Sequence, residues 1–176
     1  MSIFASFAWV MVFILVGGIF AATEMALVSL RESQISQLER GRGAGKKVAA
    51  LARDSGRFLS AVQIGVTFAG FLSSAFGASA IAPQIAPVLE GWGMPEGVAN
   101  GVSLVAMTVV VSYLSLVFGE LVPKRIAMQK AKRVSVIVAP PLDMFAKLMT
   151  PVIWVIDTSS SLILRGLGFD PKLRTS

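Results

Sequence analysis

Three runs of this chain carry no charged side chain: Met1 to Thr23, Phe58 to Leu89 and Gly97 to Gly119. Each is at least as long as the roughly 20 apolar residues that an α-helix needs to cross the hydrocarbon core of a bilayer. Inside a bilayer the backbone N–H and C=O groups must be satisfied within the segment itself, so such runs fold as helices. Hydrophobic residues make up 55% of the 176 positions and the mean hydropathy is +0.74, which is outside the range of a water-soluble domain of this size. A cleavable signal peptide has a basic n-region and a short apolar core. The first run has no Lys or Arg before Arg31, so it reads as a retained helix.

Basic residues resist translocation, and their placement predicts an orientation. Arg31, Arg40, Arg42, Lys46, Lys47, Arg53 and Arg57 lie between the first two runs, and Lys124, Arg125, Lys130, Lys132 and Arg133 follow the third. Both stretches are expected in the cytoplasm. The segment between the second and third runs has Glu90 and Glu96, no Lys or Arg, and Trp92 suited to a membrane interface. It is expected outside, as is the N-terminus. The spans are placed at about 3–29, 58–82 and 97–122.

Downstream, 134–164 is apolar but interrupted by Pro140, Pro141 and Pro151, and it carries Asp143, Lys147 and Asp157. Arg133 precedes it and Arg165, Lys172 and Arg174 follow, so one full crossing would put a basic cluster outside. Two shorter helices, re-entrant or lying along the cytoplasmic interface, keep both clusters inside and use the prolines as turn and helix-start residues. The polar stretch 31–57 reads as two short helices around the glycine-rich turn 41–45. The predicted fold is an all-α membrane protein in one domain, with three transmembrane helices, a juxtamembrane helical pair and a cytoplasmic C-terminus.

The composition also excludes chemistry. Without Cys or His there is no disulfide framework, no usual zinc or copper site and no His-based triad. No nucleophile–base pair is visible, so an enzyme is not expected. The net charge of +6 sits in short clusters flanking apolar runs, which fits contact with anionic lipid rather than nucleic acid.

The polar groups inside the runs point to function. In the second, Gly65, Ala69, Ser73 and Gly77 form a small-residue ladder suited to close helix packing, and Gln63, Thr67, Gly70 and Ser74 form a polar or open stripe beside it. In the third, Thr108, Ser112, Ser115 and Gly119 lead into Glu120. The first offers Gly17, Ala21, Thr23 and Glu24. Hydroxyls in membrane helices commonly bond their own backbone, but a carboxylate at membrane depth is costly and by default marks a functional site. Glu120 stands four residues before Lys124, so an interfacial ion pair with Lys124 or Arg125 competes with that reading. Pro123 has no N–H and deprives the Gly119 carbonyl of its α-helical donor. Carbonyl, carboxylate and hydroxyl oxygens without a soft ligand suit a hard cation such as Mg²⁺ or Na⁺.

The runs ATEMALVSLRESQISQL (22–38), FLSAVQIGVT (58–67) and SLVFGELVPKRIA (115–127) resemble the transmembrane domain of the CNNM/CorC family of magnesium transport proteins. The resemblance implies three transmembrane helices with a juxtamembrane pair, a homodimer in the bacterial cytoplasmic membrane, and Mg²⁺ moved outward with Na⁺ influx. It further implies downstream CBS domains that bind ATP; none is present here, so ATP is expected only through that absent part. The ion site implied comprises Thr23, Glu24, Gly119 and Glu120, with Thr67 and Ser74 as further oxygens and Gln63 as another candidate. Many members read I-G-N-T-x-x-N in the second span, whereas this chain has Val66 and Gly70 at the two Asn positions. The Q-I-G-x-T variant also resembles a bacterial branch linked to polyamine export. The competing class is a non-transporting membrane module that senses a cation or scaffolds a partner.

Overall fold

A computed structural model describes residues 2–169; Lys172 and Arg174, part of the charge argument above, lie outside them. The described residues fold into nine α-helices and two π-helical turns, without a strand. Helix α1 (Ile3–Val28) starts at Ser2, whose hydroxyl accepts from the Ala5 N–H at 3.2 Å. Two short amphipathic helices follow, α2 (Glu32–Arg40) and α3 (Ala44–Arg53), joined by a turn in which Gly43 takes φ +65°. A long helical hairpin comes next. Its first arm is α4 (Ser55–Phe76), a π turn (Gly77–Ile81) and α5 (Ala82–Gly91); its second is α6 (Glu96–Leu116), a π turn (Val117–Leu121) and α7 (Val122–Gln129). Helices α8 (Ala131–Leu148) and α9 (Thr150–Gly166) end the described chain, bent by 66° at Met149.

Three helical rods, Ile3–Val28, Phe58–Gly91 and Glu96–Gln129, are long and apolar enough to cross a membrane, and the bent pair accompanies them. The expected architecture of three spans plus a helical pair is therefore present. The second rod does not stop near residue 82. It runs on through Pro83 and Pro87 to Gly91, leaving only 92–95 as the connection, with Gly93 at φ +98°.

The two π turns explain how the rods absorb proline. Pro83 and Pro123 each stand two residues beyond a π turn, so the carbonyls that lose their α-helical donors, those of Ser79 and Gly119, fall inside the turns. There the N–H of Ala82 bonds the Gly77 carbonyl and that of Val122 bonds the Val117 carbonyl, five residues back in each case. The wider turn moves the i−4 carbonyl away from the proline ring and the helix continues. Pro151 starts α9, as its placement predicts, whereas Pro140 and Pro141 lie inside α8 instead of at the break. Around them Ala139, Leu142 and Ala146 are buried in a cluster with residues of α1, α3 and α4, and this packing holds α8 together despite the lost donors.

Helices α2 and α3 are fastened by Arg53, whose guanidinium donates to Glu32 at 2.9 Å and to Glu39 at 2.7 and 3.0 Å. The Arg53 hydrogen bond holds the Glu39 carboxyl below the usual carboxylate range. Lys132 Nζ donates to Gln37 Oε1 at 3.1 Å and ties α8 to α2.

Candidate functional site

Two buried apolar clusters sit one above the other. Leu27, Leu38, Val48, Leu51, Phe58, Val62 and Leu142 belong to the one at the linker end, and Val10, Ile14, Ile81, Met107 and Val111 to the one toward the hairpin tip. Between these clusters the helices meet through glycine. A Cβ on Gly17 would lie 3.3 Å from Ala69 Cβ of α4; one on Gly18 would lie 3.0 Å from Pro123 Cγ and 3.1 Å from the Phe118 carbonyl oxygen; one on Gly119 would lie 3.3 Å from the Ile14 carbonyl oxygen. The paired glycines of α1 thus let it contact α4 on one side and the second π turn on the other. The small-residue ladder faces this interior: Gly65 meets the Phe20 ring, Ala69 meets Gly17, Ser73 is buried, and Gly77 meets Val111 and Met107.

At this level the polar stripes of the hairpin arms line an open cleft of about 560 Å³. Thr67, Gly70 and Ser74 come from the first arm, and Ser112, Ser115 and Glu120 from the second, with Val66, Phe71 and Leu116 as apolar walls. A small crevice of about 60 Å³ reaches inward from it between Gly17, Ala69, Gly119 and Glu120. Glu120 is the single ionisable residue lining either space, is half-buried, and forms no hydrogen bond or ion pair with the described residues. The alternative pairing with Lys124 or Arg125 is thus not made. A Cβ on Gly70 would meet nothing within 4 Å, so the cleft has open space where the family resemblance places an Asn.

Of the six residues expected at the site, Thr67, Ser74, Gly119 and Glu120 come together here. Glu24 and Thr23 do not join them. Glu24 lines a separate cleft with Ser60 and Gln63, nearer the linker. Thr23 is 1% exposed, donates its hydroxyl to the Ile19 carbonyl at 2.6 Å, and borders an apolar crevice against Pro141, Leu142 and Phe145. Successive residues of a regular helix point about 100° apart, and α1 is regular through Val28, so neighbours on it face different spaces. Ser112 and Ser115 belong to the cleft although they were seen only as part of a stripe; their spacing to Gly119 and Glu120 was the available signal. Among the described residues no three Asp or Glu side chains cluster, and the cleft presents one carboxylate among hydroxyls.

Fold and cleft define a polytopic α-helical membrane domain with an acidic, hydroxyl-lined cleft between two of its spans. The chain belongs to the CNNM family: residues 8–176 match the Cyclin M transmembrane N-terminal domain. Among curated relatives, it is 36% identical over 165 residues to UPF0053 protein sll0260 of Synechocystis, an alignment covering 93% of this chain and 37% of that protein. It is 35% identical to UPF0053 protein YhdT of Bacillus subtilis, covering 86% of this chain and 33% of the relative. A polyamine export protein of Haemophilus influenzae is 27% identical over 94% of this chain and 38% of its own length. The chain thus spans about a third of the length of these relatives.

Proposed function

We propose that this domain forms the membrane pathway of a cation exporter in the bacterial cytoplasmic membrane, and that its cargo is Mg²⁺ moved outward against Na⁺ influx. The observation that carries the reading is the cleft between the hairpin arms, where one unpaired carboxylate, Glu120, faces Thr67, Ser74, Ser112 and Ser115 beside the π turn. Mg²⁺ keeps several of its waters and binds through one or two carboxylates, so an open cleft of hydroxyls around a single Glu suits a partly hydrated ion. The domain works as a homodimer in this reading, since exposed Gln63, Thr67 and Ser74 share the outer face of α4 with Phe68 and Phe71 and are poor partners for lipid. ATP would act only through cytoplasmic domains beyond this chain.

The roominess at Gly70 favours a second reading, in which the cargo is a linear polyamine whose ammonium meets Glu120 and whose methylenes lie on Val66, Phe71 and Leu116. The name of the Haemophilus relative points the same way. Flux into liposomes by the purified full-length protein, whose dimeric mass is checked in the same preparation, separates the two. Mg²⁺ flux driven by a Na⁺ gradient is the expected result, diamine flux without Mg²⁺ flux would replace the cargo, and no flux of either would leave a sensor or scaffold.

In this orientation the N-terminus and the 92–95 turn are outside and the α2–α3 linker is inside. The chain contains no cysteine, so single substitutions report on it directly. With an impermeant thiol reagent on intact cells, Glu96→Cys is expected to label at once and Arg40→Cys only after permeabilisation; the reverse pattern would invert the topology.

A further inference from the structure

Glu24 and Glu120 serve different clefts, and the spacing of both helices explains why. Glu24 is seven residues beyond Gly17 on α1, two turns or about 10 Å along the same stripe. Gln63 stands seven residues before Gly70 on α4, an equal displacement. Glu24 therefore meets Ser60 and Gln63 two turns nearer the linker than the level at which Gly17 meets Ala69. The cleft there measures about 320 Å³, and Ile153 and Ile156 of α9 supply a wall. Glu24 is half-buried and forms no hydrogen bond or ion pair with the described residues.

The two clefts are joined. A groove of about 260 Å³ shares Gln63, Ile64 and Ile156 with the Glu24 cleft, and Thr67 and Phe71 with the Glu120 cleft. Its walls are otherwise apolar, and the Gln63 carboxamide donates to Thr67 Oγ1 at 3.2 Å within it. An open groove along the outer face of α4, with one amide–hydroxyl bond in it, thus connects a cleft at each end that carries a single carboxylate.

We propose that Glu24, Ser60 and Gln63 form a second cation subsite, separate from that of Glu120, which loads the pathway from the linker side behind α9. The proposal rests on the reading that a cation crosses this domain. Carboxylate, hydroxyl and carboxamide oxygens suit a hydrated hard cation. Two dications in neighbouring clefts repel, so the stations exchange an ion instead of both holding one tightly.

Protection of an engineered thiol tests this in the cysteine-free chain, with Mg²⁺ as the probe. Mg²⁺ is expected to slow modification of Ile153→Cys by an impermeant thiol reagent, and Leu59→Cys on the opposite wall repeats the measurement should the first variant fold poorly. In a Glu120→Gln background the half-protecting Mg²⁺ concentration is expected to stay within threefold of the parent or to fall, because the competing station is disabled. In a Glu24→Gln background protection is expected to be lost. A rise of more than threefold in the Glu120→Gln background, protection that survives Glu24→Gln, or no protection in the parent would each overturn the second subsite. Mg²⁺ flux together with any of those outcomes leaves the transport reading standing without the subsite; protection as expected without flux overturns the loading role and leaves a cation site on a protein that does not transport.

Discussion

Gly18→Leu is expected to leave little folded protein. The position has no room on the side facing the second π turn, where a Cβ alone would come within 3.0 Å of Pro123 Cγ and 3.1 Å of the Phe118 carbonyl oxygen. One neighbour is backbone and the other is a ring that cannot rotate away, so the three further carbons of Leu must displace α1 itself. Overpacking a core typically costs about 1–3 kcal/mol through displaced side chains. Here the displaced object is a helix that also carries Gly17 against Ala69 and the Ile14 carbonyl against Gly119, so the cost is expected at or above the top of that range. Thermal unfolding in detergent and the yield of monodisperse protein measure it. Gly101→Leu, at an α6 position where a Cβ meets nothing within 4 Å, should behave like the parent or gain slightly from helix propensity. A Gly18→Leu protein with unchanged yield and melting temperature would mean that α1 and the π turn do not approach in the membrane as they do here.

Such an approach is legible in sequence only in outline. The spacing of Gly65, Ala69, Ser73 and Gly77 announces a helix face that must meet another backbone, since every fourth residue is small. It does not say which helix, because Phe20, Gly17 and the Val111–Met107 pair come from two different spans. The uncharged runs located the three rods. The extension of the second to Gly91 was hidden by Pro83 and Pro87, which argue for a break unless a π turn takes up the first of them. Pro140 and Pro141 misled in the same direction, because tertiary packing around Ala139 and Leu142 overrides the local preference.

The cleft was more legible than the set of ligands. Thr67 and Ser74 follow from helical period, and Glu120 from its glycine and proline neighbours; period and neighbours are local properties. Pairing Thr23 with Glu24 joined adjacent residues of what proves to be an unbroken helix, where about 100° of rotation separates their side chains. Gly119 and Glu120 escape that conflict because Gly119 offers backbone only and lies in a π turn. The separation of Glu24 from Glu120 depends on the level at which α1 crosses α4, and that level is fixed by the contact between Gly17 and Ala69, a tertiary fact.

Glu120→Gln is expected to abolish cation transport while leaving the fold intact. The amide preserves the size of the side chain. It makes no hydrogen bond or ion pair with the described residues that the substitution would break, so the apo protein should melt within a degree or two of the parent. What it removes is the single carboxylate of a cleft whose other polar side chains are hydroxyls. An interaction with a charged group contributes about 1.5–3 kcal/mol, so its loss should weaken cation binding roughly 10-fold to 150-fold, and transport should fall to background. Ser112→Ala or Ser115→Ala should weaken binding only several-fold, since a neutral hydroxyl contributes about 1 kcal/mol and a water can take its place. Glu90→Gln, outside both clefts, should be silent. The loss should also appear without flux: Mg²⁺ is expected to raise the melting temperature of the parent through its binding to the folded state, and this shift should shrink in Glu120→Gln and persist in Glu90→Gln. Equal Mg²⁺-induced shifts in both variants would remove Glu120 from the site and leave the cleft as a packing feature of the hairpin.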